Sequence, residues 1–170
     1  RIAFIDVLKK MGGKIKVKKT KTVSGEDVGN IKVSYSLLKA IEIKATAAPY
    51  LIDEYPILSI AASQAKGVTV MKGLSELRHK ESDRIKSIIT NLSKIGFKVA
   101  SKKDDISIIG SSEIKIVNQK KIKTYGDHRI AMSFVILSLL YKNKLIIDDE
   151  SCISISYPDF KKHLKKLSTY

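Results

Sequence analysis

Cysteine is nearly absent. Cys152 is the one thiol in 170 residues, so no internal disulfide can form and a reducing, cytoplasmic compartment is expected. A small buried residue is the reading for Cys152 itself. Histidine is equally sparse: three scattered residues and one cysteine form no metal-ligand spacing, and no metal is expected. Aromatic residues make up 6% and do not interleave with the basic ones, as a base-stacking platform would require. No apolar run reaches the roughly 18–20 residues of a membrane span. The longest, Ile130 to Tyr141, has the length of a buried helix. There is no glycine-rich phosphate loop, no nucleophile elbow and no secretory signal. The chain opens at Arg1, inside what already reads as a helix, and is expected to be a piece of a longer protein.

Acidic residues are few, 17 against 32 Lys and Arg, for a formal net charge of +15. Such a balance suits a nucleic-acid binder, an anion binder, or a compositional bias toward Lys and Ile. The lysines spread through every segment instead of gathering on one stripe, so nucleic-acid binding is disfavoured. Arginine occurs only at Arg1, Arg78, Arg84 and Arg129. Where lysine is the default cation, an arginine suggests a need for its planar fork, which holds a carboxylate or phosphate at two points. Apolar residues at 44% and charged residues at 29% describe a globular chain able to bury a core.

An internal repeat is visible. Leu8-Lys9-Lys10-Met11-Gly12-Gly13-Lys14-Ile15 matches Leu92-Ser93-Lys94-Ile95-Gly96-Phe97-Lys98-Val99, each a helix end, a glycine cap and a strand. More loosely, a helix from Pro56 to Lys66, closed by Gly67, a strand Val68–Met71 and a helix from Asp83 to Ile95 match a later set. That set is a helix from Arg129 to Tyr141, a strand Leu145–Ile147 and a helix from Pro158 to Leu167. The unit runs to roughly 75–85 residues. Ile85, Ile88, Ile89, Leu92 and Ile95 mark one apolar helix face, with Ser82 or Asp83 able to cap its start. The helix from Arg129 is apolar nearly all round and should be deeply buried. Strands are expected at Ile31–Ser34, Ile41–Lys44, Ile106–Ile109 and Glu113–Val117, and polar loops at 18–30 and 118–126.

Charged residues collect at three helix starts: Asp53 and Glu54; Lys80, Glu81, Asp83 and Arg84; and Asp127, His128 and Arg129. Acids are ordinary there, and Asp53, Asp83 and Asp127 could each be a plain N-cap. Cations are less ordinary, because the helix dipole disfavours them. Lys80, Arg84 and Arg129 therefore suggest an anionic ligand, a phosphate or a carboxylate. Arg78 reads as an exposed loop residue, His128 as structural and Glu81 as solvated or surface-paired, unless a ligand recruits them.

Three stretches occur in order: Leu51-Ile52-Asp53-Glu54-Tyr55-Pro56, Glu76-Leu77-Arg78-His79-Lys80-Glu81-Ser82-Asp83-Arg84 and Tyr125-Gly126-Asp127-His128-Arg129-Ile130-Ala131-Met132. With Ser156-Tyr157-Pro158-Asp159-Phe160 near the end, they resemble the EPSP synthases over essentially the whole chain. The resemblance implies an α+β fold, the alpha-beta prism. It is built from repeated βαβαββ units, with helices inside and sheets outside, in one domain of a two-domain enolpyruvyl transferase. Residues 1–170 would form most of the C-terminal domain, in units of roughly 1–45, 46–118 and 119–170, with the N-terminal domain absent. The implied reaction moves the enolpyruvyl group of phosphoenolpyruvate to the 5-hydroxyl of shikimate 3-phosphate. Asp53, Lys80 and Glu81 are the implied catalytic residues. Asp53 and Lys80 would also contact shikimate 3-phosphate, and Arg84, His128 and Arg129 would hold phosphoenolpyruvate. No metal or organic cofactor, nucleic acid or membrane is implied; the partners are the two substrates and the N-terminal domain. Departures include Ile155, where some members carry a lysine, and Glu76, where some carry Asn. The alternatives are the related transferase that acts on UDP-N-acetylglucosamine and, in another class, a basic RNA-binding module.

Overall fold

A computed structural model describes residues 2–111, 113–116, 118–141 and 144–168. Arg1 and Val117, named above, lie outside the described residues. The chain opens with helix α1 (Ala3–Lys10), whose C-terminal turn leads through Gly12, at φ +95°, into a long antiparallel hairpin. Its strands are β1 (Lys14–Val23) and β2 (Glu26–Ser34). The polar loop expected at 18–30 is therefore mostly strand. Five charged residues from Lys18 to Asp27 hide its β signal, but Thr20, Thr22, Val23 and Val28 favour extended backbone. Ser24 and Gly25, at φ +50° and +82°, make the tight turn whose twist suits a hairpin.

One complete β–α–β–α–β–β run follows. It comprises β3 (Glu42–Ile43), a 3-10 turn (Ala45–Ala47) leading into α2 (Ala48–Leu51), α3 (Tyr55–Ser63), β4 (Gly67–Met71), α4 (Arg84–Ile95), β5 (Lys98–Lys102) and β6 (Asp105–Gly110). Its strands form one sheet in the order β3-β4-β6-β5, with β3 parallel to β4 and the other pairs antiparallel. Then come β7 (Lys120–Ile122), α5 (His128–Ser138), β8 (Leu145–Ile147), α6 (Ser151–Ser156) and α7 (Phe160–Ser168). Strands β7 and β8 pair in parallel, as β3 and β4 do.

The central helices carry the core. Ile85, Ile88, Leu92 and Ile95 of α4 are all buried, each contributing about 1.5–3 kcal/mol from the area removed from water. They pack with Tyr55, Leu58 and Ile60 of α3 and Ile130, Phe134 and Leu137 of α5, while Ile106 and Ile108 close the cluster from the sheet side. Asp83 caps α4 by accepting from the Lys86 amide, and Gly96 ends it at φ +117°. Gly110 lets β6 run against the end of α3: a Cβ there would lie 2.0 Å from the Ala65 carbonyl oxygen.

Several boundaries differ from the sequence reading. Helix α3 stops at Ser63, because Gln64 and Ala65 tighten into three-residue turns, and Gly67 instead opens β4 at φ +108°. Pro56 is its second residue, not its first. Helix α5 ends at Ser138, and Leu139 and Leu140 beyond it are half-exposed, so the all-apolar run is longer than the buried helix. The segment 118–126 contains β7, which a run of lysines disguised. Residues 113–116 are not strand: Lys120, not this segment, begins the pairing with β8. Cys152 is buried, as expected of a small apolar-like residue.

Candidate active site

The turn before α3 presents Asp53 and Glu54; Glu54, not Asp53, occupies the N-cap position, and its side chain makes no capping hydrogen bond. The loop after β4 passes through a 3-10 turn (Ser75–His79) and delivers Lys80 and Glu81 just ahead of α4. Tyr125 and Gly126, both at positive φ, turn the chain so that Asp127 starts α5. This last turn is braced from two sides. The Asn91 side chain donates to the Lys123 carbonyl at 2.8 Å and accepts from the Lys123 amide at 3.0 Å. Asp148 accepts from both the amide and the hydroxyl of Thr124 at 2.9 Å.

Arg84 is the centre of the cluster. Its side chain is 1% exposed, so its charge is costly to bury without partners. Three carboxylates meet it. Nε donates to Asp127 Oδ2 at 2.8 Å, Nη1 to Asp53 Oδ1 at 3.1 Å, and Nη2 to Glu81 Oε2 at 2.6 Å. Asp127 is itself fully buried and has three duties. It pairs with Arg84, accepts from the Arg129 and Ile130 amides as the N-cap of α5, and accepts from the Ser82 hydroxyl at 3.1 Å. Asp53 gathers three cations: Arg84, Arg129 with Nη2 at 3.5 Å, and Lys80 with Nζ at 3.7 Å. Arg129 also donates to the Asp53 carbonyl at 2.9 Å and lies 3.7 Å from Glu54.

Burial by itself would raise the pKa of both aspartates. For Asp53 the charges of Arg129 and Lys80 and the Arg84 contact outweigh it, so the carboxyl titrates below its ordinary value. For Asp127 the hydrogen bond and charge of Arg84, then the two backbone amides, do the same. Arg84 is pushed up: burial opposes its charge, but the Asp127 bond and the acidic neighbours prevail.

Five of the six residues singled out from the sequence, Asp53, Lys80, Glu81, Arg84 and Arg129, thus form one connected set. His128 is adjacent in the chain, half-buried at the first turn of α5; among the described residues no hydrogen bond or ion pair of its side chain joins it to the set. Asp127 was legible only as a cap, and its second duty, neutralising Arg84 from 43 residues away, had no signal in a single sequence. A cleft of about 420 Å³ opens beside the cluster, lined by Pro49, Tyr50, Ile52, Asp53 and Glu54 among others. A larger hollow of about 910 Å³, near Tyr35, Leu37 and Tyr141, contains none of these residues.

A buried arginine ringed by carboxylates, with half-exposed Glu81 and Lys80 at the rim, can hold an anion and exchange protons with it. The fold is that of the enolpyruvyl transferases. The solved transferase NikO from Streptomyces tendae superposes over 97% of this chain and 34% of its own, with a TM-score of 0.69 at 17% identity. The solved EPSP synthase from Acinetobacter baumannii superposes far better, with a TM-score of 0.90 at 34% identity over 98% of this chain and 38% of its own.

The chain belongs to the EPSP synthase (3-phosphoshikimate 1-carboxyvinyltransferase) family, whose model matches residues 1–164. The 3-phosphoshikimate 1-carboxyvinyltransferases of Petrotoga mobilis and Clostridium tetani are 44% and 41% identical over 98% and 97% of it. The chain spans 38% and 37% of the length of those two relatives. No helix among the described residues is long and apolar enough to cross a membrane.

Proposed function

We propose that the chain is part of a cytoplasmic enzyme that transfers the enolpyruvyl group of phosphoenolpyruvate to the 5-hydroxyl of shikimate 3-phosphate, releasing phosphate. It would supply most of the C-terminal domain, and an N-terminal domain of the same protein would complete the cleft. The observation that carries this reading is the convergence of Asp53, Lys80, Glu81, Arg84 and Arg129, from three separate segments, into one chain of ion pairs through Asp53 and Arg84.

The chemistry asks for these groups. The substrate hydroxyl oxygen bonds to C2 of phosphoenolpyruvate while C3 gains a proton, and the hydroxyl proton must leave. Asp53, kept ionised by three cations, is the acceptor for that proton, with Lys80 beside it. Glu81, half-exposed at the rim, is the group that protonates C3 and later removes a proton from the same carbon as the C2–phosphate bond breaks. Arg84, Arg129 and His128 hold the phosphoenolpyruvate, and binding exchanges part of the carboxylate shell of Arg84 for the ligand.

A coupled phosphate-release assay on the complete protein tests the proposal. Glu81→Gln, Asp53→Asn and Arg129→Lys should each lower turnover by about two orders of magnitude or more with the fold intact. The isolated chain should show negligible turnover, since part of the cleft would be missing. A complete protein inactive with this substrate pair, or variants that match the unmodified enzyme, would sink the reading.

A further inference from the structure

Among the described residues, Arg78 is the arginine that the proposed chemistry does not use, yet all three of its guanidinium nitrogens are engaged. Nη2 donates to the Lys103 carbonyl at 2.7 Å and Nε to Asp104 Oδ1 at 2.9 Å. Both acceptors lie in the tight turn between β5 and β6, where Lys103 adopts φ +54°. Nη1 reaches Asp83 Oδ2 at 3.3 Å, while the other oxygen of Asp83 caps α4. The Arg78–Asp83 pair therefore brackets residues 79–82, the short loop that carries Lys80 and Glu81.

The same β5–β6 turn holds the beginning of this segment. The Leu74 amide donates to the Asp104 carbonyl and the Gly73 amide to Asp105 Oδ1, each at 2.9 Å. The segment from Gly73 to Asp83 is thus moored to one hairpin near its start and again through Arg78, and it is stapled to the α4 cap at its end. A lysine could satisfy one of these acceptors but not three in different directions, which accounts for an arginine in a chain where lysine is the usual cation.

We propose that Arg78 is a positioning residue: clamped between the β5–β6 turn and Asp83, it fixes the loop that aims Lys80 and Glu81 at the reacting atoms. Each of its guanidinium nitrogens is bonded within the chain, so its role needs no contact with substrate. The inference rests on the proposed function for its kinetic consequences, but its mechanical content stands on the hydrogen bonds alone.

The test uses the complete protein with Arg78→Met, Arg78→Lys, Asp104→Ala and the Arg78→Met/Asp104→Ala double variant. Hydrogen exchange of peptides covering residues 74–82 should accelerate in all four, whatever the substrate is. In the phosphate-release assay kcat should fall about tenfold or more in Arg78→Met and Asp104→Ala, with the KM for phosphoenolpyruvate little changed. The double variant should be no worse than the worse single variant, and Arg78→Lys should fail to rescue. Loss in Arg78→Met with Asp104→Ala unchanged would assign Arg78 a direct ligand contact and overturn the proposal. So would a lowered melting temperature with normal exchange at 74–82 and normal kcat. Inactivity of the unmodified protein, with loop exchange still faster in the variants, would defeat the functional reading and leave the clamp standing.

Discussion

Replacing Asp127 with Asn separates the two tasks of that side chain. The amide oxygen of Asn can still cap α5, since Asn is as good an N-cap as Asp. What disappears is the charge facing Arg84, whose side chain is 1% exposed. Removing one partner of a buried ion pair costs about 3–5 kcal/mol, mostly because the surviving charge stays buried. Here Asp53 and Glu81 also contact Arg84, which places the expected cost near the lower end, about 3 kcal/mol. A domain with a total stability of about 5–15 kcal/mol would survive this but melt well below the parent. Asp127→Ala should cost about 1 kcal/mol more, the share of the lost cap. Urea titrations followed by circular dichroism on the complete protein give both values. The acid limb gives an independent check. Asp127 titrates below its ordinary 3.8 in the folded state, so its contribution is whole above that value and is lost as pH falls through the lower folded value. Asp127→Asn should therefore flatten the decline in melting temperature below about pH 4. A cost under about 1 kcal/mol, or an unchanged acid limb, would refute the claim that Arg84 depends on this carboxylate.

The remaining predictions concern the support around the site. Tyr55 is fully buried and its hydroxyl has no hydrogen-bond partner among the described residues, so Tyr55→Phe should leave stability unchanged or raise it by about 1 kcal/mol in the same titration. Burial pushes the Tyr55 pKa up to about 12, so its neutral form contributes stability that is intact below pH 10 and is lost as pH rises from 10 toward 12. Tyr55→Phe should lessen alkaline unfolding in that window, and an unchanged alkaline melting curve would count against the assignment. Gly110→Ala would drive a methyl group into the Ala65 and Ala62 carbonyls, and overpacking of that kind costs about 1–3 kcal/mol. Because it pushes against the end of α3, a melting curve identical to the parent would show that β6 can yield there.

Much of the site was legible because its chemistry is written in local motifs. The apolar stripe from Ile85 to Ile95, with Asp83 before it and Gly96 after it, specifies α4 by period and caps, and the structure follows it. The convergence of Asp53, Arg84 and Arg129 was legible only through the family resemblance, since nothing in their spacing brings positions 31 and 76 residues apart together. The failures share a physical cause. In β1 and in β7, lysines occupy half or more of the positions, and their charge masks the β-branched residues that set the backbone. The end of α5 is hidden because apolar character continues through Leu139, Leu140 and Tyr141, and that of α3 because Gly67 looks like its stop while the three-residue turns at Gln64 and Ala65 are backbone events. Arg78 looks like an exposed loop residue in the sequence because its three acceptors sit at Asp83 and across a turn that the sequence does not mark.

The lysines of the hairpin have a consequence for colloidal behaviour. Strand β1 alternates Lys14, Lys16 and Lys18 with Ile15 and Val17, and across it Val28, Ile31 and Val33 of β2 are solvent-exposed. Exposed β-branched residues on a long two-stranded ribbon invite a second ribbon to stack or pair edge to edge. A row of like charges opposes that approach, and the irregular register between Lys19 and Lys21 twists the edge away from a flat template. Repulsion of this kind reaches about 10 Å at 0.1 M salt and shrinks as salt is added.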